Sequence, residues 1–158
     1  MKRTHVTWAP VTKKQWGFTL LEVLLVVAIL ALLAGIVIVA INPGRQLGNS
    51  RNTQRSSDVK TILDAVYGYN IDNGTLPATI TTTATDVCNT TGSNCTGLID
   101  LGVLTASGKY LVAMPKDPQC TALCSTYGTG YKISKDANNR VTVASTYAEL
   151  SVTISVTR

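Results

Sequence analysis

Histidine is almost missing from this 158-residue chain, and the single one is His5. Beyond residue 17 there is none, so neither a Ser/His/Asp nor a Cys/His catalytic arrangement can be built from the rest of the chain. Tryptophan is confined to Trp8 and Trp16, and the only phenylalanine is Phe18. Charge is scarce too, at 15% of residues, and from Val23 to Ile41 it is absent altogether. The acidic residues are scattered, and no pair of them argues for a general acid and base beside a cleft. A non-enzymatic protein is expected.

The net charge of +5 does not point to nucleic acid. Lys2, Arg3, Lys13 and Lys14 all precede the apolar run, and after residue 17 ten basic residues face nine acidic ones. The surplus belongs to the first seventeen residues, so no specific nucleic-acid binding is expected.

The uncharged stretch is the strongest positive feature. As a helix, Val23 to Ile41 would span about 28 Å, against a hydrocarbon core of roughly 30 Å. A cleaved secretory signal wants a shorter apolar region and a small-x-small cleavage site, whereas this run ends in "VAINPG", with large residues where small ones are preferred. A single-pass anchor is the simplest alternative. Its orientation is not set by Lys/Arg counting, because Arg45, Arg51, Arg55 and Lys60 balance the four basic residues on the other side.

One residue sits oddly at the head of the run: Glu22, a carboxylate at the edge of a membrane-length segment. Together, Gly17, Phe18, Thr19, Leu20, Leu21 and Glu22, preceded by Lys13 and Lys14 and followed by the apolar run, resemble the class III signal of type IV prepilins and pseudopilins. The resemblance implies that a prepilin peptidase cuts between Gly17 and Phe18 on the cytoplasmic side and methylates the new N-terminus at Phe18. It also implies subunit docking, in which the freed amine of Phe18 on an incoming copy meets Glu22 of a neighbour. A carboxylate in a membrane helix costs about 2.5–3.5 kcal/mol on insertion scales, and cleavage creates the cation that offsets it. That amine stands four residues before Glu22, which places both on one helical face, and the helix N-terminus adds to the attraction. A contact between different patches of successive copies whose rotation does not close yields an open helical polymer. Ala28, Ala31, Ala34 and Gly35 would allow close helix approach within it.

Beyond the span, Pro43, Gly44 and Gly48 are poor helix-interior residues, and a kinked or unwound segment is expected from Ala40 to Asn49. Pilins commonly carry a helix-breaking proline some four residues earlier, where this chain has Val39. From about Asn52 a helical pattern returns, with Val59, Ile62, Leu63, Val66 and Tyr67 on one face. Gly74 and Pro77 stop it. Residues 78–96 read as loop with room for a short strand, and Leu98 to Leu104 as one or two helical turns. Period-two alternation over Tyr127–Ser134, Arg140–Ala148 and Leu150–Thr157, with "KDANNR" as a turn, predicts an antiparallel sheet of three or four strands. Its expected core is Ile133, Val141, Val143, Val152, Ile154 and Val156.

A head of this size with so few apolar residues gains from staples. Cys88, Cys95, Cys120 and Cys124 all lie outside the span. Local disulfides, Cys88 with Cys95 and Cys120 with Cys124, are preferred for their short loops. Bridges between the two pairs stay open, and a four-thiolate zinc site is disfavoured by the spacing and the missing histidine. Asp117 and Asp136 are the candidates for a calcium site of the kind seen in major pseudopilins, although "KDPQC" lacks the rest of that loop pattern. Asn73, Asn89 and Asn94 each begin an Asn-x-Ser/Thr triplet.

The expected fold is α+β and type IV pilin-like: a long N-terminal membrane helix packed against a small antiparallel sheet. Its parts are a leader (1–17), the membrane and polymerisation half of the helix (18–41), a kinked then amphipathic half (42–74) and a globular head (75–158). The expected role, without cofactor, is a structural subunit of a type IV pilus or pilus-like filament for adhesion, motility or DNA uptake. The alternatives are a pseudopilin of a secretion or competence apparatus, or an anchored binding module that never polymerises. The implied partners are further copies of the chain in a homo-oligomeric filament, the prepilin peptidase, and the assembly ATPase and platform. The implied course runs from the cytoplasmic membrane to a filament on the cell surface.

Overall fold

The computed structural model describes residues 17–90 and 92–158. His5, Trp8, Trp16 and the basic residues of the leader lie outside the described residues. The chain forms two compact units divided between Asn42 and Pro43, which are described separately.

Among the described residues, the first unit holds one helix, α1 (Leu20–Ile41). Thr19 starts it: its backbone is extended (φ −77°, ψ 150°), and its hydroxyl accepts a hydrogen bond from the Glu22 amide at 3.2 Å, satisfying one of the donors that every helix start leaves unpaired. Asn42 ends it in a left-handed conformation (φ 45°), which asparagine tolerates better than most residues. No residue of α1 is buried. Among the described residues it is the one helix long and apolar enough to cross a membrane.

The second unit begins with α2 (Pro43–Asn73). The expected unwinding from Ala40 to Asn49 is confined to Asn42. Pro43 occupies the first helical position, where its missing N–H would be unpaired anyway, and Gly44 and Gly48 are both helical. Gly48 has a packing reason: a Cβ there would stand 3.3 Å from the Leu150 side chain. Further along, α2 buries Val59, Ile62, Leu63, Ala65 and Val66, with Tyr67 partly covered beside them. Burial of this kind is worth about 1.5–3 kcal/mol per large apolar side chain before ordering costs, and it holds together a segment whose polar first half has little helical preference of its own. Gly74 follows with φ +72°, its amide bonded to the Asn70 carbonyl at 2.8 Å.

Against α2 lies a four-stranded antiparallel meander in chain order: β1 (Thr85–Cys88), β2 (Gly128–Lys135), β3 (Val141–Ser145) and β4 (Ser155–Thr157). Two short helices, α3 (Gly102–Thr105) and α4 (Cys120–Leu123), interrupt the long excursion from β1 to β2. The β2–β3 hairpin turns at Asp136–Arg140, where Asp136 Oδ1 accepts from the amides of Asn138 (2.8 Å) and Arg140 (2.9 Å). One core results: the α2 face, Val87, Tyr131, Ile133, Val141, Val143 and Ile154, with Ile80, Leu101 and Leu104 from the connecting segments.

Val152 departs from the expected core. Leu150 and Ser151 both take positive φ (59° and 57°), so the alternation predicted from Leu150 onward does not begin until β4, and Val152 stays exposed while Ile154 is buried.

Candidate processing and assembly site

Among the described residues, those at the head of α1 are exposed. Gly17, Phe18 and Thr19 precede the helix, and Phe18 is 82% exposed. The segment T-L-L-E places Thr19 at the N-cap and Glu22 three residues on, the spacing of a capping box. This cap sets where the helix starts. Phe18 lies just outside α1 in the uncleaved chain, two residues before its first helical residue. The Gly17–Phe18 peptide bond is thereby left in non-helical backbone. Glu22 is the acidic residue of the first turn, and the rest of α1 is apolar on every face.

The four cysteines are paired locally. Cys88 is bonded to Cys95 across a Cα–Cα distance of 5.5 Å, tying the end of β1 to the turn after it, and Cys120 is bonded to Cys124 at 4.6 Å, closing α4 on itself. Asp117 and Asp136 are engaged by arginines. Asp117 is buried, its Oδ2 accepting from Arg55 Nε at 2.6 Å and its Oδ1 from Arg55 Nη2 at 3.0 Å and from the Gln119 amide at 2.8 Å. Asp136 accepts from Arg140 Nε at 2.7 Å, and its hydrogen bonds from the Arg140 backbone and side chain hold its carboxyl below the usual range. Of the three asparagines, Asn73 donates to the Tyr69 carbonyl at 2.9 Å, Asn94 is exposed and Asn89 is half-buried.

Arg55 is the residue that sequence reasoning missed. It stands in the polar run "RNTQRSSD", yet its side chain is fully buried. Besides Asp117 it donates to Glu149 Oε2 at 2.8 Å, Asn52 Oδ1 at 3.0 Å and Gln119 Oε1 at 2.7 Å. Arg51 completes the cluster with a two-pronged bond to Glu149, 2.6 Å on each arm. Hydrogen bonds from Arg51, then Arg55, hold the Glu149 carboxyl down to about 2. Burial pushes Asp58 up, opposed by the hydroxyl that Tyr131 donates to it at 2.6 Å. The cluster ties α2 to segments 62 and 94 residues further along the chain, and its chemistry is structural.

Comparison with known proteins falls on the same N-terminal region. Residues 12–38 match the family model described as the prokaryotic N-terminal methylation motif. No curated protein and no solved structure matches the chain. The matched span includes the candidate cleavage bond, the Thr19 cap, Glu22 and most of α1, and the unit that follows is an α+β head with a small antiparallel sheet. Residues 12–38 thus carry the N-terminal methylation signature of type IV pilins and pseudopilins, set ahead of an α+β unit of pilin-like architecture.

Proposed function

We propose that this chain is a structural subunit of a type IV pilus or pilus-like filament. Prepilin peptidase cuts the exposed Gly17–Phe18 bond and methylates the new amine of Phe18. The chain waits in the cytoplasmic membrane through α1, and the assembly ATPase and platform draw it into a filament. The observation that carries this reading is α1 itself: 22 residues with no buried side chain and one carboxylate in the first turn. Such a helix needs an apolar environment along its whole length, lipid before assembly and other copies of itself afterwards. Glu22 supplies the direction. Its insertion cost, about 2.5–3.5 kcal/mol at mid-membrane and less near the interface, is offset when the Phe18 amine of the next copy reaches it, and that contact joins unlike patches, so it propagates.

The test is chemical and genetic. Filaments sheared from cells should yield a chain that begins at methylated Phe18 and shows no tryptophan fluorescence, since Trp8 and Trp16 leave with the leader. Glu22→Val should still be processed but should fail to assemble. A surface-exposed chain that keeps its first seventeen residues, or normal filament yield from Glu22→Val, overturns the proposal.

A further inference from the structure

Helix α2 changes character at Val59. From there on it is fastened by apolar burial, with Val59, Ile62, Leu63 and Val66 covered, whereas the buried residues before it are Gly48, Asn52 and Arg55. None of those three offers an apolar side chain. Their partners gather on one turn and one loop. Asn52 donates from Nδ2 to the Glu149 carbonyl at 2.8 Å and accepts at Oδ1 from its amide at 3.0 Å, Arg51 and Arg55 hold the Glu149 carboxylate, and Arg55 also reaches Asp117 and Gln119. Polar bonds hold this half of the helix down. The turn that makes them is strained, since Leu150 and Ser151 are successive non-glycine residues in the left-handed region, a backbone that persists only where surrounding contacts over-determine it.

Left to itself, the clamped segment is a poor helix. Pro43 to Asp58 reads "PGRQLGNSRNTQRSSD", rich in glycine, asparagine and serine and without alanine, a composition nearer to a flexible linker than to a helix former. Its helical state comes from what grips it. We propose that Pro43–Asp58 is a releasable tether: helix while the Glu149 turn clamps it, slack chain when the clamp opens, with the apolar core of the head intact in both states. Opening runs inward from the surface, because the Arg51 and Glu149 side chains are 30% and 26% exposed while those of Arg55 and Asp117 are both at 0%. Roughly 24 Å long as helix, the segment reaches up to about 55 Å as extended chain. In chain order it stands between α1 and the apolar core, so release lengthens their covalent link. On the membrane-anchored reading of α1, on which this use of the tether rests, a held copy gains room to turn its head toward a neighbour before the clamp closes again. The opening itself belongs to the head unit and needs no membrane.

Amide hydrogen exchange of the full chain in detergent micelles tests this. The first four amides of any helix lack intrahelical partners, so the comparison is between residues 47–58 and 59–66, under conditions where exchange tracks the population of the open form. In the native chain 47–58 should exchange at least about tenfold faster, although both stretches belong to one continuous helix. Ile133→Val, in the core, should speed 59–66 roughly two- to tenfold and leave 47–58 unchanged, because the tether opens without the core. Glu149→Gln should speed 47–58 by about tenfold or more. Should that variant not fold, Ser50→Ala/Ser57→Ala asks the same question in the opposite direction: both serines are exposed, and exchange of 47–58 should slow by about fivefold. Equal protection along α2 in the native chain, or equal acceleration of both stretches by Ile133→Val, means that the helix opens only with the whole head and overturns the proposal. Unchanged exchange of 47–58 in a folded Glu149→Gln or serine-to-alanine variant overturns it as well. None of these readouts depends on α1 lying in a membrane, so the release and the anchored reading fail separately.

Discussion

Replacing Asp117 with alanine strands a guanidinium that has no access to water. Arg55 is 0% exposed, and the substitution removes its 2.6 Å and 3.0 Å bonds to the carboxylate together with the Gln119 amide's acceptor. Breaking a buried ion pair from one side costs about 3–5 kcal/mol, because the remaining charge is left uncompensated. Here Glu149, Asn52 and Gln119 still bond to Arg55, which places the expected cost at the lower end, about 3 kcal/mol. Over the unit Pro43–Arg158, with an unfolding entropy of about 2.1 cal/mol/K per residue, this corresponds to a fall of about 12 °C in Tm. The assay is urea and thermal unfolding of residues 43–158 followed by circular dichroism. Arg55→Met alone should be similarly harmful, since it leaves Asp117 buried and unpaired. The double variant Arg55→Met/Asp117→Leu should cost at least about 2 kcal/mol less than the sum of the single losses, because an apolar pair has no stranded charge. A loss below about 1 kcal/mol for Asp117→Ala, or simple additivity in the double variant, would refute the reasoning.

Glu149 makes the head acid-sensitive in a defined window. Its folded-state pKa, about 2, lies below the ordinary 4.5, so its contribution to stability is complete above about 4.5 and is lost as the pH falls through about 2. Asp58 and Asp86, raised by burial, act in the opposite sense, so the measurement is the stability difference between the native chain and Glu149→Gln: large at neutral pH and shrinking across that window. A difference that stays constant down to the lower limit would count against the clamp. Gly130→Ala should cost roughly 3 kcal/mol, combining a left-handed backbone with overpacking. Gly130 has φ +82°, and a Cβ there would stand 2.9 Å from Asp117 Cβ and 3.0 Å from Cys124 Sγ. Gly74→Ala, at φ +72° with nothing within 4 Å, isolates the backbone share, and similar unfolding midpoints for the two variants would show that the crowding is not felt.

Several features were legible because the physics that sets them is local. The charge-free run and the carboxylate at its head announced a membrane-length helix with a processing signal, and the 3.6-residue spacing from Val59 to Val66 marked the buried face of α2. Alternation located β2 and β3 to within a few residues, and "KDANNR" located their turn, since Asp136 organises its own hairpin. Short cysteine spacing pointed to two local loops, and the structure closes both.

Other features depended on partners far away in the chain. A run such as "RNTQRSSD" reads as solvated, because nothing within it reveals that a carboxylate 62 residues on will take Arg55 out of water. Gly48 reads as a helix breaker until Leu150 arrives to need its space. Val152 fits a strand pattern until the Asn52, Arg51 and Arg55 clamp on Glu149 fixes the turn that turns it outward. The sequence by itself therefore determined the segments and the signal, which follow from periodicity and from the cost of charge in lipid. Only the tertiary structure decided which polar side chains are buried and which apolar ones are displayed, because burial is a property of contacts between distant segments and no single stretch of chain contains it.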